Sequence, residues 1–197
     1  EADEKIRLYM TCLQIHPREP MMPISTPVHY ASELADRYGL FKTIGWTLDT
    51  KALQSNDLGE DEFLEDAKRT VAWNARLTLD ELDRGHFDLL LSGWTATDRI
   101  SHLFWAFRDP KHPLYTEAMN QKYGRVIEDS YVQADEIVGE VMKRLNGNDL
   151  LMIMSDHGFG PRGAKQPPRL LRRQPDHRTA PRRGFPAAGA VRIGRCL

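Results

Sequence analysis

The sequence predicts an α/β fold, with a mostly parallel β-sheet flanked by helices. Three observations lead to it. First, Phe87-Asp88-Leu89-Leu90-Leu91-Ser92 and Asp149-Leu150-Leu151-Met152-Ile153-Met154 are short, nearly continuous apolar runs. That is the pattern of central strands buried on both faces. Second, long stretches of helical period lie between them, and a strand–helix–strand order implies a crossover with parallel neighbouring strands. Third, each run leads into an acid and a histidine: Asp98 with His102, and Asp156 with His157. The carboxyl edge of such a sheet is where sites are built.

Each element has its own local reason. Ile6, Leu8, Met10 and Cys12 alternate with Arg7, Tyr9 and Thr11, which predicts a strand over 6–13. Pro17, Pro20, Pro23 and Pro27 make 16–28 extended loop. Ala31, Leu34, Ala35 and Tyr38 share a helical face, and Gly39 stops it. Phe63, Leu64, Ala67, Val71, Ala75, Leu79 and Leu82 carry a long helix over 60–84, ended by Gly85. A helix over 98–107 stops near Asp109-Pro110. Ile127, Tyr131, Ala134, Val138, Val141 and Leu145 mark one helix over 116–145, closed by Asn146-Gly147-Asn148.

The charge distribution divides the chain. Residues 161–197 hold nine Arg, one Lys and a single acid, Asp176, leaving 17 basic and 27 acidic residues in 1–160. The tail also holds six Pro and no surviving period, so it cannot bury a core of its own. The sequence therefore reads as an incomplete catalytic domain over 1–160 and an Arg/Pro-rich tail over 161–197, disordered or out of frame. A reading-frame shift in a GC-rich gene would produce such a break. The tail has Phe185 as its one aromatic residue and no module pattern, so nucleic-acid binding is not expected of it.

With 41% hydrophobic and 28% charged residues, the composition is that of a soluble globular protein. No apolar run nears the ~20 residues of a membrane span. The opening Glu1-Ala2-Asp3-Glu4-Lys5 lacks a leader pattern, so a cytoplasmic location is expected over secretion. Cys12 and Cys196 have no disulfide or thiolate-site spacing.

Carboxylate plus neutral imidazole suits zinc or a similar divalent ion. Asp98 and His102, spaced i, i+4, face the same way on a helix. Gly158 allows a sharp turn after Asp156-His157. Taken singly, each pair also fits a plain role: Asp98 as a helix cap, Asp156 as a turn residue. Two such pairs, each after an apolar strand, point to a two-metal hydrolytic site. Four ligands do not complete two ions, so further donors are required. Thr95 and Thr97 are polar neighbours of Asp98 that nothing marks as nucleophiles. Trp94 and Trp105 read as packing residues, His112 as part of a turn, and His16, His29 and His86 as surface residues.

Thr97-Asp98-Arg99-Ile100-Ser101-His102-Leu103-Phe104-Trp105, then Asp109-Pro110-Lys111-His112-Pro113-Leu114-Tyr115, resembles a known group. So do Met154-Ser155-Asp156-His157-Gly158-Phe159-Gly160, Pro23-Ile24-Ser25-Thr26-Pro27 and the stretch Tyr38 to Trp46. The resemblance is to the type I phosphodiesterase/nucleotide pyrophosphatase branch of the alkaline phosphatase superfamily, and it covers about residues 6–161. It implies an alkaline-phosphatase-like α/β sandwich with two divalent ions, zinc or manganese, at the carboxyl ends of the strands. Asp98 and His102 match the holders of one ion, Asp156 and His157 those of the other. The implied reaction is hydrolysis of a phosphate-ester substrate through a Thr or Ser nucleophile.

Several family features have no counterpart here. The first-strand Asp and the nucleophile would precede Glu1, and a further metal-binding His is not recognisable downstream; His177 is not assigned to it. The expectation is a part of a phosphodiesterase or pyrophosphatase that is inactive alone. A phosphomonoesterase, phosphoglycerate mutase or sulfatase shares the same metal ligands, and a non-catalytic metal-binding module is the reading from another class. An incomplete sheet exposes an edge that self-association would cover.

Overall fold

A computed structural model describes residues 8–44 and 47–161, together with the backbone of a strand at 192–195. The chain divides into two compact units, Glu1–Arg84 and Gly85–Leu197.

The first unit is helical. Helix α1 spans Tyr30–Tyr38, α2 Thr50–Gln54 and α3 Glu60–Arg84. Glu60, Asp61 and Glu62 sit in the first turn of α3 and Arg84 in the last, which complements the helix dipole at both ends. Phe63, Ala67 and Val71 step by four along its buried face. Phe63 is fully buried, and Leu34, Ala35, Leu48 and Ala52 are also core residues of this unit. Trp73 of α3 stacks on Phe41 at 4.9 Å and meets Tyr38 edge-on at 6.2 Å, tying α1 and the segment after it to α3. Lys42 anchors that segment by donating to Asp66 at 2.6 Å, to Thr70 and to the Thr47 carbonyl. Asp49 caps α2 by accepting from the Ala52 amide at 3.2 Å.

The second unit holds strands β1 (Leu89–Leu91), β2 (Asp149–Met152) and β3 (Arg192–Arg195), and helices α4 (Ala96–Arg108), α5 (Glu117–Tyr123) and α6 (Val126–Met142). Its core lies where α4 meets α5 and α6. Phe104 is fully buried and packs edge-to-face with Phe107 at 5.7 Å and Tyr123 at 5.6 Å. Ile100, Ile127 and Val141 are buried as well. Thr116 caps α5 by accepting from the Met119 amide at 3.2 Å.

The sheet departs from the expected parallel pairing. Its strand order is β1-β3-β2, and β3 runs antiparallel to both neighbours. The outer strands therefore point the same way, as a crossover requires, but they are not adjacent. The strand at 192–195 also lies inside the tail, where no strand period was expected. Nor is β1 buried on both faces. Leu89 and Leu91 are 41% and 59% exposed, and on β2 Leu150 and Met152 are 57% and 37% exposed. Leu89 and Leu150 both pair with Gly194, and Leu91 and Met152 both pair with Arg192, so these four share one open row. A continuous apolar run reports strand character but not how many of its faces are covered.

Two further expectations are corrected. Residues 8–13 form no strand. Leu8, Met10 and Leu13 are 90%, 76% and 84% exposed, because alternation without a pairing partner does not make a ladder. The rest of that expected strand, Ile6 and Arg7, lies outside the described residues, as does most of the 161–197 tail. The single helix expected over 116–145 is two, broken at Gly124, whose amide donates to the Asn120 carbonyl at 2.8 Å. A Cβ at Gly124 would stand 2.5 Å from that oxygen, so the tight closure requires glycine. The short α2 was not expected at all. Among the described residues no helix is long and apolar enough to cross a membrane.

Candidate metal centre

Asp98 and His102 are placed by α4, one turn apart. His102 Nε2 lies 3.4 Å from Asp98 Oδ1. Asp156 and His157 follow β2 in the loop that leaves the sheet. His157 Nε2 lies 3.6 Å from the same Asp98 Oδ1 and 3.8 Å from Asp156 Oδ1. Within the second unit, His102 and His157 both approach one Asp98 oxygen, and Asp156 lies beside His157.

Exposure differs across the cluster. Asp98 is 26% exposed and Asp156 83%, while His102 and His157 are each a little over half exposed. The Oδ1 atom of Asp98 is itself buried and accepts no hydrogen bond. Leaving a buried carboxylate oxygen without a donor costs at least about 1–3 kcal/mol. Arg99 Nε approaches the other oxygen, Oδ2, at 3.6 Å.

His157 is oriented from behind. Its Nδ1 lies 2.9 Å from the Gly158 carbonyl oxygen, an acceptor that places a proton on Nδ1. In the neutral ring, Nε2 then carries a lone pair directed at the Asp98 side. That is the tautomer and the backbone support that histidine ligands use. The hydrogen bond with Gly158, followed by the Asp156 carboxylate and, less, Asp98, raises the His157 pKa above its usual 6.5. Asp156 Oδ1 also accepts from the His157 amide at 3.0 Å, which fixes the turn.

A ring ladder lies against the cluster. Phe159 meets His102 edge-on at 4.8 Å and Trp105 at 5.4 Å. Trp105 therefore packs, as expected, and what it packs on is the loop after β2. The sequence pattern alone assigns Phe159 no role at the site. The usable signal was an aromatic residue two positions after His157, matched to Trp105 three positions after His102 on one helical face.

Thr95 stands at the start of α4 without capping it through its side chain, and no hydrogen bond joins Thr95 or Thr97 to a basic side chain among the described residues. His112 belongs to a turn, its Nδ1 accepting from the Leu114 amide at 3.2 Å. His16 and His29 are exposed. Among the described residues, no three or more His, Cys, Asp or Glu side chains converge as an assembled metal cage.

A family model described as type I phosphodiesterase / nucleotide pyrophosphatase matches residues 11–180. The chain belongs to the type I phosphodiesterase/nucleotide pyrophosphatase family. The match takes in both Asp/His pairs, α1 to α6 and both β1 and β2. It also runs past Pro161, where the change in composition had suggested a boundary. Membership brings the α/β fold of the family to this helix-rich chain, although the pairing in its described sheet is antiparallel. No curated protein and no solved structure matches the chain.

Proposed function

We propose that this chain is part of a two-metal phosphohydrolase that acts on phosphodiester or nucleotide pyrophosphate bonds, and that it supplies ligands for divalent ions, zinc or manganese. The observation that supports this reading is the buried Asp98 Oδ1, which has no hydrogen-bond donor and faces two imidazole Nε2 atoms. Two donors on one zinc ion, with bonds of about 2.1 Å, stand roughly 3.4 Å apart. The 3.4 Å separation of Asp98 and His102 is of that size. Oxygen and imidazole donors suit zinc and manganese.

Asp98 and His102 would contribute to one ion and Asp156 and His157 to the other, with further donors completing each. A bound divalent ion would supply electrostatic stabilisation to the oxygens of a phosphoryl group. The protein's own part is positional. Helix α4 fixes Asp98 and His102 on one face, and the Gly158 carbonyl keeps the His157 proton on the far nitrogen.

This reading assigns no nucleophile, and the chain alone is expected to bind metal and turn over little or nothing. The boundary between a catalytic domain over 1–160 and a tail over 161–197 belongs to the same proposal. A phosphomonoesterase, mutase or sulfatase would use the same ligands, and pocket residues decide among them.

Calorimetric titration with zinc and with manganese tests the reading, on the wild-type chain and on the double variant Asp98→Ala, His157→Ala. Binding that the double variant loses supports it; equal or absent binding in both overturns it. A parallel assay with bis-p-nitrophenyl phosphate tests inactivity. Turnover that disappears in His157→Ala would show that the chain carries a complete catalytic apparatus.

A further inference from the structure

Two sequence-distant segments must be held together for Asp98 to face both histidines. Asp98 and His102 ride on α4, whereas His157 sits in the exposed loop after β2. The backbone of that loop is irregular from Ile153 to Pro161, so no ladder fixes its position. Among the described residues, the side chains of Ser155 and Asp156 hydrogen-bond to the His157 backbone, and Asp156 also pairs with the His157 ring. Those bonds shape the loop but do not attach it to the helix.

Phe159 makes the attachment. Its ring is perpendicular to the His102 imidazole, at 90° and 4.8 Å between centroids. On its other side it lies against Trp105 at 5.4 Å, tilted by 48°. His102 and Trp105 are i and i+3 on α4, so Phe159 straddles adjacent turns of one helical face. Arg108, three residues on, sits 5.8 Å from the Trp105 ring and pairs with Glu128 of α6. The ladder therefore runs from the loop through α4 to α6.

We infer that Phe159 is a positioning residue for metal binding, which sets the His102 ring plane by docking the 154–160 loop against α4. This rests on the metal reading proposed above. Edge-to-face pairs contribute about 0.5–1.5 kcal/mol beyond area burial, and loss of a group that orients a ligand typically costs 10–100-fold in metal affinity. Phe159 touches no substrate in this reading; it acts through His102.

The test is a double-mutant cycle on the full chain, read by zinc and manganese calorimetry, with Phe159→Ala, His102→Ala and the two combined. Circular dichroism confirms folding of each variant, and Phe159→Tyr keeps the ring as a second check. The expected result is a 10–100-fold weaker ion in Phe159→Ala, near-wild-type affinity in Phe159→Tyr, and little further loss from Phe159→Ala once His102 is alanine. Such non-additivity marks action through His102. Additive losses, or unchanged affinity in Phe159→Ala, would overturn the inference while leaving the metal reading standing. A wild-type chain that binds neither ion would defeat the metal reading itself, and this inference with it.

Discussion

His157 Nε2 lies 3.6 Å from Asp98 Oδ1, and the carboxylate oxygen between the two histidines accepts no hydrogen bond. Such an oxygen calls for a cation or a proton. The chain's response to metals and to pH should therefore converge on Asp98.

Asp98→Asn keeps the shape and removes the charge. Zinc affinity is expected to fall at least tenfold, because a neutral amide is a weaker donor and both histidines lose their shared carboxylate. Folding should be little affected or slightly improved, since the variant no longer buries a charged oxygen without a donor. Calorimetry and thermal unfolding on the same sample measure the two effects.

Metal binding should strengthen as pH rises through neutrality. The pKa of His157 is raised above 6.5, first by its hydrogen bond with Gly158 and then by Asp156. A proton on Nε2 occupies the position an ion would take, so binding must release it. Titrations in buffers of different ionisation enthalpy should report proton uptake by the buffer near neutral pH, and less of it in His157→Ala. In the metal-free chain the sign is opposite. The raised pKa contributes stability that is present below 6.5 and lost as pH climbs through the folded-state value.

Tyr9 should make the chain sensitive to alkali. Its hydroxyl donates to Asp49 Oδ2 at 2.5 Å, and this bond, aided by burial, pushes its pKa up to about 12. The folded state keeps the phenol neutral after the unfolded chain begins to ionise at 10. The contribution is thus full below pH 10 and lost as pH rises towards 12. Tyr9→Phe should flatten the stability profile across that window in chemical denaturation. Asp49→Ala should do the same and also cost about 0.5–2 kcal/mol through the lost cap on α2.

Gly124→Val should destabilise the second unit by more than ordinary surface changes do. The added Cβ would stand 2.5 Å from the Asn120 carbonyl and 2.6 Å from the Asn120 side-chain nitrogen. Backbone cannot retreat cheaply, and the closure between α5 and α6 has to open. A loss of about 1–3 kcal/mol in urea unfolding is expected, against less than about 0.5 for a neutral exposed position.

Much of the helical framework was legible in the sequence, because amphipathic period and stop residues act locally. Helix α1 and the long α3 begin and end where their apolar faces and Gly39 and Gly85 place them. The break at Gly124 was not legible, because the apolar period of Ile127, Tyr131 and Ala134 continues smoothly and only a tertiary-scale closure reveals it. Sheet pairing was the least accessible. Leu89-Leu90-Leu91 announces a strand, but which strand lies beside it depends on Arg192–Arg195, far along the chain and without a period of its own. At the candidate site, the spacing of Asp98 and His102 already implied one helical face. The sharing of Asp98 with His157 and the insertion of Phe159 depend on long-range packing, which no local pattern encodes.

Helix α4 has almost no face left over. One side, through Ile100, Ser101 and Phe104, is sealed in the core, and the other carries Asp98, His102 and Trp105 to the cluster. Robustness and chemistry are therefore written on the same thirteen residues. A substitution that rotates this helix to relieve crowding around Phe104 also turns the carboxylate away from His157. Packing and site geometry in α4 are therefore coupled, and a change to one face disturbs the other.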